Sequence, residues 1–242
     1  MLLKAVMIKQ VLFTTTTLTL LALLSTNAKA VDLTTEFDEK HKQCLESIAE
    51  DSELALEEAM IWRSEGGGRR AKHCEAMALF ALGHEDEAAH RLDTLAQASD
   101  GGSPNMRANF YAEAANFWLA SENAEKAYSS ATAGLDIQKD HIDLRIARAR
   151  SYAMAGRYDY AEIDLSSVLV FDAKHVDALR YRADARLKQD KYDAALADIE
   201  KALDLDIENV ETAIVRGRIK EAIRLKSIID TNPPSKPQAD IQ

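Results

Sequence analysis

Cys44 and Cys74 are the only thiols in this 242-residue chain, and each has a histidine close by. His41-x-x-Cys44 and His73-Cys74 together supply two His and two Cys, a ligand set that holds tetrahedral zinc. Adjacent residues on a helix point about 100° apart, so His73 and Cys74 converge on one ion only awkwardly. A disulfide between the two cysteines is the simpler chemistry for an exported chain, and redox catalysis lacks its C-x-x-C. Arginine recurs at Arg148, Arg182 and Arg216, 34 residues apart each time. Read functionally, this is a cationic row for an acidic ligand. Asp164 and Asp198 follow Arg148 and Arg182 by 16 residues, so the same arginines can equally be held in ion pairs.

Catalytic signatures do not add to this chemistry. His84-Glu85-Asp86-Glu87-Ala88 begins like a zinc-protease H-E-x-x-H but lacks the second His that would hold the metal. Gly66-x-Gly68-x-x-Ala71 imitates a dinucleotide fingerprint, yet a helical pattern precedes it where a strand is required. No G-x-S-x-G occurs, and no His, Ser and acid are placed to suggest a triad. The many carboxylates sit at helix-surface spacings, where solvation accounts for them. No catalytic residue, metal or cofactor is expected.

The composition limits the elements that can position these residues. Hydrophobic residues make up 47% and charged ones 29%, enough for a sizeable core. Aromatics at 6%, 9 Gly and 4 Pro are few for a turn-rich β-sandwich or barrel, which leaves helices. The formal charge of −10 argues against a protein that grips phosphate backbones.

Residues 1–30 contain no acid. Lys4 and Lys9 give a basic start, Val11 to Leu24 is uncharged and largely apolar, and Ala28-Lys29-Ala30 puts small residues where a signal peptidase reads. These features predict a secretory signal peptide cut between Ala30 and Val31. Its 14-residue apolar run, four threonines included, falls short of the roughly 20 residues a membrane span needs. No Cys follows the cut, so a lipid anchor is not indicated. The Ala-x-Ala end looks bacterial, which makes the expected destination a periplasm. Cleavage removes Lys4, Lys9 and Lys29, leaving 27 basic residues against 40 acidic ones and a net charge of −13. That charge argues further against nucleic acid and anionic lipid.

Three stretches of 34 residues align without gaps: Ala108 to His141, Ile142 to His175 and Val176 to Asn209. Each reads as two amphipathic helices with small residues where helices must touch. In the second, Ala149 and Tyr152 lie on the first helix and Gly156 opens the turn. Tyr158 and Ala161 begin the next helix, and Leu165, Val168 and Leu169 complete its apolar stripe. The matching residues are Ala183, Tyr192, Ala195, Ile199, Ala202 and Leu203 in the third stretch. In the first they are Ala115, Trp118, Ala127, Ala131, Gly134 and Leu135.

The segments AMAGRYDYAEIDLSSVLVFDA and KQDKYDAALADIEKALDLDI resemble the tetratricopeptide repeat (TPR) family, whose 34-residue spacing is W-x2-L-G-x2-Y, then A-x3-F, then P. The family's closing Pro is replaced by Lys139, Ala173 and Ile207. Upstream, Ala71 to Ala96 is a looser helix–turn–helix with Gly83 at its turn and Ala88 and Leu92 on its second helix. That repeat begins near Arg69, 39 residues before Ala108, and the five extra residues fit a loop from Ser99 to Ser103. Ser103 is the expected N-cap and Pro104 the first helical residue. Glu36 to Trp62 reads as one further pair, closed by Gly66-Gly67-Gly68. Val210 to Ile229 reads as a single charged helix, the polar cap a stacked array needs.

The expected fold is therefore all-α. It is an α-solenoid, a right-handed superhelix of about five TPR-like pairs near 36–68, 69–98, 105–141, 142–175 and 176–209. A capping helix at 210–230 follows, then a disordered, Pro-containing tail at 231–242.

The resemblance implies that the first helices line a concave groove. Its positions, carried over one by one, fall on His73, Asn109, Asn116, Asp143, Arg150, Asp177, Arg180, Asp184, Lys188, Glu211 and Arg218. Asn109, Asn116, Arg150, Arg180, Lys188 and Arg218 are the candidates for partner contact. Their mixture with acids does not look like the basic carboxylate clamp of some relatives. Family members also pair an arginine on the first helix with an aspartate on the second. That favours structural pairs Arg148–Asp164 and Arg182–Asp198, while Arg216 has no second helix to pair with. Cys44 and Cys74 fall on the first helices of consecutive repeats, which are neighbours in a superhelix. A bridge there closes a loop of about 30 residues and stabilises by roughly 3 kcal/mol.

The expected function is that of a non-enzymatic periplasmic scaffold taking a peptide or helix of another protein. Nucleic acid and, after cleavage, membrane insertion are not expected, and self-association stays open. The alternatives are a metal- or thiol-based module at the N-terminal His/Cys cluster and an accessory factor to cell-envelope enzymes.

Overall fold

The structure is a computed structural model and describes residues 33–231. The expected signal peptide with its cut at Ala30, and residues 232–242 of the expected tail, lie outside the described residues. Eleven helices make up the described part: α1 (Leu33–Ser47), α2 (Ser52–Ser64), α3 (Gly68–Ala81), α4 (Glu85–Gln97), α5 (Pro104–Ala120), α6 (Ala124–Ile137), α7 (Ile142–Met154), α8 (Tyr158–Phe171), α9 (Val176–Leu187), α10 (Tyr192–Leu205) and α11 (Val210–Thr231). Consecutive helices pack on one another, and α1 on α3, α5 on α7, α7 on α9 and α9 on α11 pack as well. This is an α-solenoid of helix pairs in which the odd-numbered, first helices form a continuous row. The capping helix reaches Thr231, one residue into the segment expected as tail.

Side chains at recurring positions start and stop these helices. Ser103 caps α5, its oxygen accepting from the Met106 N–H, and Pro104 follows as the first helical residue. His141 and His175, the last residues of two aligned stretches, cap α7 and α9 by accepting the Leu144 and Ala178 N–H groups. Asn209 ends the third stretch and accepts from the Thr212 N–H at 2.9 Å. Where the family's Pro is missing, a capping side chain therefore marks the start of each following helix and satisfies one of its open N–H groups.

The tight turn inside each pair carries one left-handed residue in the same register: Gly83, Glu122, Gly156 and Asp190, with φ of 80°, 59°, 73° and 59°. Two of the four positions thus lack the residue for which that conformation is least strained.

Small residues let neighbouring helices approach. A Cβ on Gly134 of α6 would lie 2.6 Å from the Leu144 side chain of α7 and 3.0 Å from that of Tyr111 on α5. Alanines at Ala76, Ala88, Ala115, Ala149, Ala161, Ala183 and Ala195 are fully buried for the same reason. The largest apolar cluster joins α3 to α7 and holds the buried aromatics Phe110, Tyr111, Phe117 and Trp118, with Phe80 stacked on Phe117. Smaller clusters continue it through α7–α9 and α9–α11. The last helix departs from a purely polar cap. It buries Thr212, Val215 and Ile219 but leaves Ile214, Leu225, Ile228 and Ile229 exposed, because no second helix follows to cover them. No described helix is long and apolar enough to cross a membrane.

Candidate functional site

The recurring arginines are tied up inside the repeats. Arg148 of α7 donates from Nε and Nη2 to the two carboxylate oxygens of Asp164 on α8, at 2.7 and 2.8 Å. Arg182 of α9 holds Asp198 on α10 in the same fork, at 2.8 and 2.7 Å. Both aspartates are buried. Arg186 adds a third hydrogen bond to Asp198 and also reaches Glu162 of α8, joining two repeats. Burial alone would raise the Glu162 carboxyl, but hydrogen bonds from Lys191, Arg186 and Gln189 outweigh it and hold its pKa at about 2. Arg216, for which the sequence offered no partner, lies 3.7 Å from Glu200 on the preceding helix.

A further pair escaped the sequence reading. Glu75 of α3 is 1% exposed and bonded to Arg91 of α4, with Arg63 of α2 at 3.1 Å on its other side. Glu75 and Arg91 are 16 residues apart, the same interval with the charges exchanged between first and second helix. The interval was a readable signal. The inverted signs and the 39-residue offset of that repeat hid it.

The groove candidates lie along the row of first helices and largely contact one another. Asn116 of α5 accepts from Arg150 of α7 at 2.8 Å. Arg150 reaches across to the Tyr181 ring of α9, whose ring also carries Arg180 at 4.2 Å. Arg180 is in turn paired with Asp177 at 2.6 Å. Arg218 of α11 pairs with Asp184 of α9 at 2.8 Å. Asn109 accepts from or donates to the His141 ring at 2.9 Å. Lys188, Asp143 and Glu211 are exposed and contribute free charge to the ends of the same helices. The row is thus a cross-linked polar face that α5, α7, α9 and α11 share.

At its N-terminal end the row changes character. Cys44 of α1 and Cys74 of α3 are joined in a disulfide, with their Cα atoms 6.2 Å apart. Both sulfurs are consumed, so the two-His, two-Cys zinc set of the alternative reading is not assembled. No group of three or more His, Cys, Asp or Glu is poised around a metal position among the described residues.

Next to the bridge, His41 Nε2 lies 2.9 Å from His73 Nδ1, and His73 Nε2 lies 2.8 Å from Glu113 Oε2 on α5. A carboxylate can only accept, so His73 donates from Nε2 and its Nδ1 takes the proton of His41 Nε2. Burial, helped by the nearby His73 and Arg70, lowers the His41 pKa to about 4, while Asp38 and Glu113 oppose the change. The three helices enclose a cavity of about 200 Å³ there. The motif imitations do nothing comparable: His84 sits exposed at the N-cap of α4, and Gly66 to Ala71 form the turn into α3.

No protein-family model matches the chain, and no curated protein does. Solved structures do. A thermophilic TPR protein in Thermus thermophilus superposes with a TM-score of 0.57 at 19% identity, covering 76% of this chain and 99% of that one. The MamA RS-1 ArsTM double mutant gives 0.57 at 14% identity, covering 72% and 95%. The second TPR domain of human RPAP3, solved with the HSP70 peptide SGPTIEEVD, covers 49% of this chain and 98% of its own at 25% identity and a TM-score of 0.46. Together with the helix pairing described above, these likenesses define the fold: the chain is an all-α solenoid of the tetratricopeptide-repeat type.

Proposed function

We propose that this protein is a non-enzymatic scaffold, exported to the periplasm, whose row of first helices takes a peptide or a helix of another protein. The observation that carries the reading is the shared face itself. Asn116, Arg150, Arg180 and Arg218 stand on successive first helices and are linked across them, so one extended ligand can contact several repeats together. Repeat stacks bury their apolar sides against each other and leave such long faces for recognition. No described cluster offers a nucleophile with a base, or a metal position, to set against this. Export is supported by residues 1–30 and by the Cys44–Cys74 bridge, which persists only in an oxidising compartment.

Photo-crosslinkers placed at Arg150 and Arg180, with one at the exposed Val170 of α8 as control, test the face in the native organism. The expected result is the same partner band from positions 150 and 180 and none from 170. Equal labelling from all three, or no protein adduct at 150 and 180, overturns the reading. Mass measurement of the mature chain tests export: loss of residues 1–30 is expected, and an intact N-terminus contradicts it.

A further inference from the structure

The cavity between α1, α3 and α5 holds charges that the fold leaves unbalanced. Of the cations lining it, Arg70 is neutralised by Asp38. Glu113 is occupied by the His73 Nε2–H. Arg69 has neither kind of partner among the described residues. Its Nε is buried without an acceptor, and its guanidinium makes no ion pair there. A buried guanidinium N–H without an acceptor costs free energy, and a carboxylate is the acceptor that satisfies it best. The cavity's roughly 200 Å³ suits a carboxyl group and its methylenes rather than a whole helix.

Beside Arg69 stands an imidazole ready to change charge. In the Glu113–His73–His41 chain each nitrogen-bound proton points toward the carboxylate, which leaves His41 Nδ1 as the open lone pair. A proton added at that atom breaks no bond in the chain. The groups acting on His41 are Asp38 of α1, Arg70 and His73 of α3, and Glu113 of α5. The other helix packed on α1, α2, contributes none of them. Without a ligand the cations and the burial prevail and the ring stays neutral. A carboxylate entering beside Arg69 adds an opposite charge within the same space and reverses that balance.

We infer that this cavity is a docking site for a carboxylate of the partner, and that filling it is coupled to uptake of one proton by His41. This deepens the groove reading and rests on it for the source of the carboxylate. Engagement then tightens as the compartment acidifies.

The test uses the full chain with its disulfide intact and three probe peptides: acetyl-Ala-Glu-Ala-amide, its Gln counterpart, and acetyl-Ala-Ala with a free C-terminus. Binding and the His41 ring titration are followed together by nuclear magnetic resonance. The Glu peptide should bind about tenfold more tightly at pH 5.5 than at pH 8. That is the factor for an imidazole restored to its ordinary pKa of about 6.5 in the complex. The His41 titration midpoint should rise in step, and the Gln peptide should do neither. A stronger response to the free C-terminus than to the Glu side chain assigns the site to a chain end.

Arg69→Gln should abolish binding and Arg69→Lys should restore part of it. His41→Gln should leave weak binding with no pH dependence. Binding of the Glu and Gln peptides alike, or affinity indifferent to pH or to Arg69→Gln, overturns the inference. Crosslinks at Arg150 and Arg180 that persist in that event leave the groove reading standing. Peptide capture without those crosslinks leaves the cavity as a small-carboxylate site and removes the groove.

Discussion

Asp198 accepts three hydrogen bonds from two arginines while only 6% exposed. Asp198→Ala strands both guanidiniums and should cost about 3–5 kcal/mol, read as a lowered midpoint in urea or heat. The same change at exposed Asp193 should cost little. His41 supplies a second measurable effect. Its folded pKa is about 4 against an ordinary 6.5, so below pH 6.5 the unfolded chain binds a proton that the folded chain refuses. Stability therefore falls as pH drops from 6.5 toward 4, by on the order of 1–2 kcal/mol after discounting for solvent screening of a half-exposed ring. His41→Gln should flatten that part of the stability profile. The arginine–aspartate pairs were legible because type and interval repeat together. The His41–His73–Glu113 chain was not, since it joins residues 32 and 40 apart through three helices that only stacking brings side by side.

Helices and turns give sharper tests of the repeat geometry. Gly134 is helical, so alanine there gains intrinsic propensity of about 1 kcal/mol. Its Cβ would nevertheless meet Leu144 at 2.6 Å, and the crowding should win, lowering stability by about 1–2 kcal/mol overall. Glu122 holds a left-handed turn position that Gly83 and Gly156 hold in sister repeats. Glu122→Gly should raise the thermal midpoint slightly, by at most about 1 kcal/mol, because relief of strain exceeds the added flexibility of the unfolded chain. Gly156, Ser103 and Pro104 could be placed from sequence because each is a residue type bound to one conformation. The histidine caps at His141 and His175 could not. Histidine carries no strong cap preference, and only the chain's path turns its ring nitrogen onto the next helix.

Over the whole array, each pair touches little beyond its neighbours, so stability is distributed and can be lost locally. The Cys44–Cys74 bridge spans 30 residues at one end. Reduction should remove roughly 3 kcal/mol from that end alone on the chain-entropy estimate. Hydrogen exchange should then show α1 and α2 losing protection while α7 to α10 keep theirs; uniform loss would mean a single cooperative unit. The stacking order was readable in the sequence because three copies keep a 34-residue period. The exposed isoleucines of α11 were not, since its charged residues mask an apolar outer row that matters only once no further helix follows.

The exchanged signs of Glu75 and Arg91 also bear on how such a chain finds its proper order. Nearly identical hairpins invite mispairing, and a wrong neighbour can satisfy most greasy contacts. Seating α3 against α8 in place of α4 would set Glu75 against Asp164, two buried acids with no cation between them. Seating α7 against α4 would oppose Arg148 to Arg91. Each mistake carries its own repulsion, so the inverted pair serves as an address that tells the leading hairpin from those that follow.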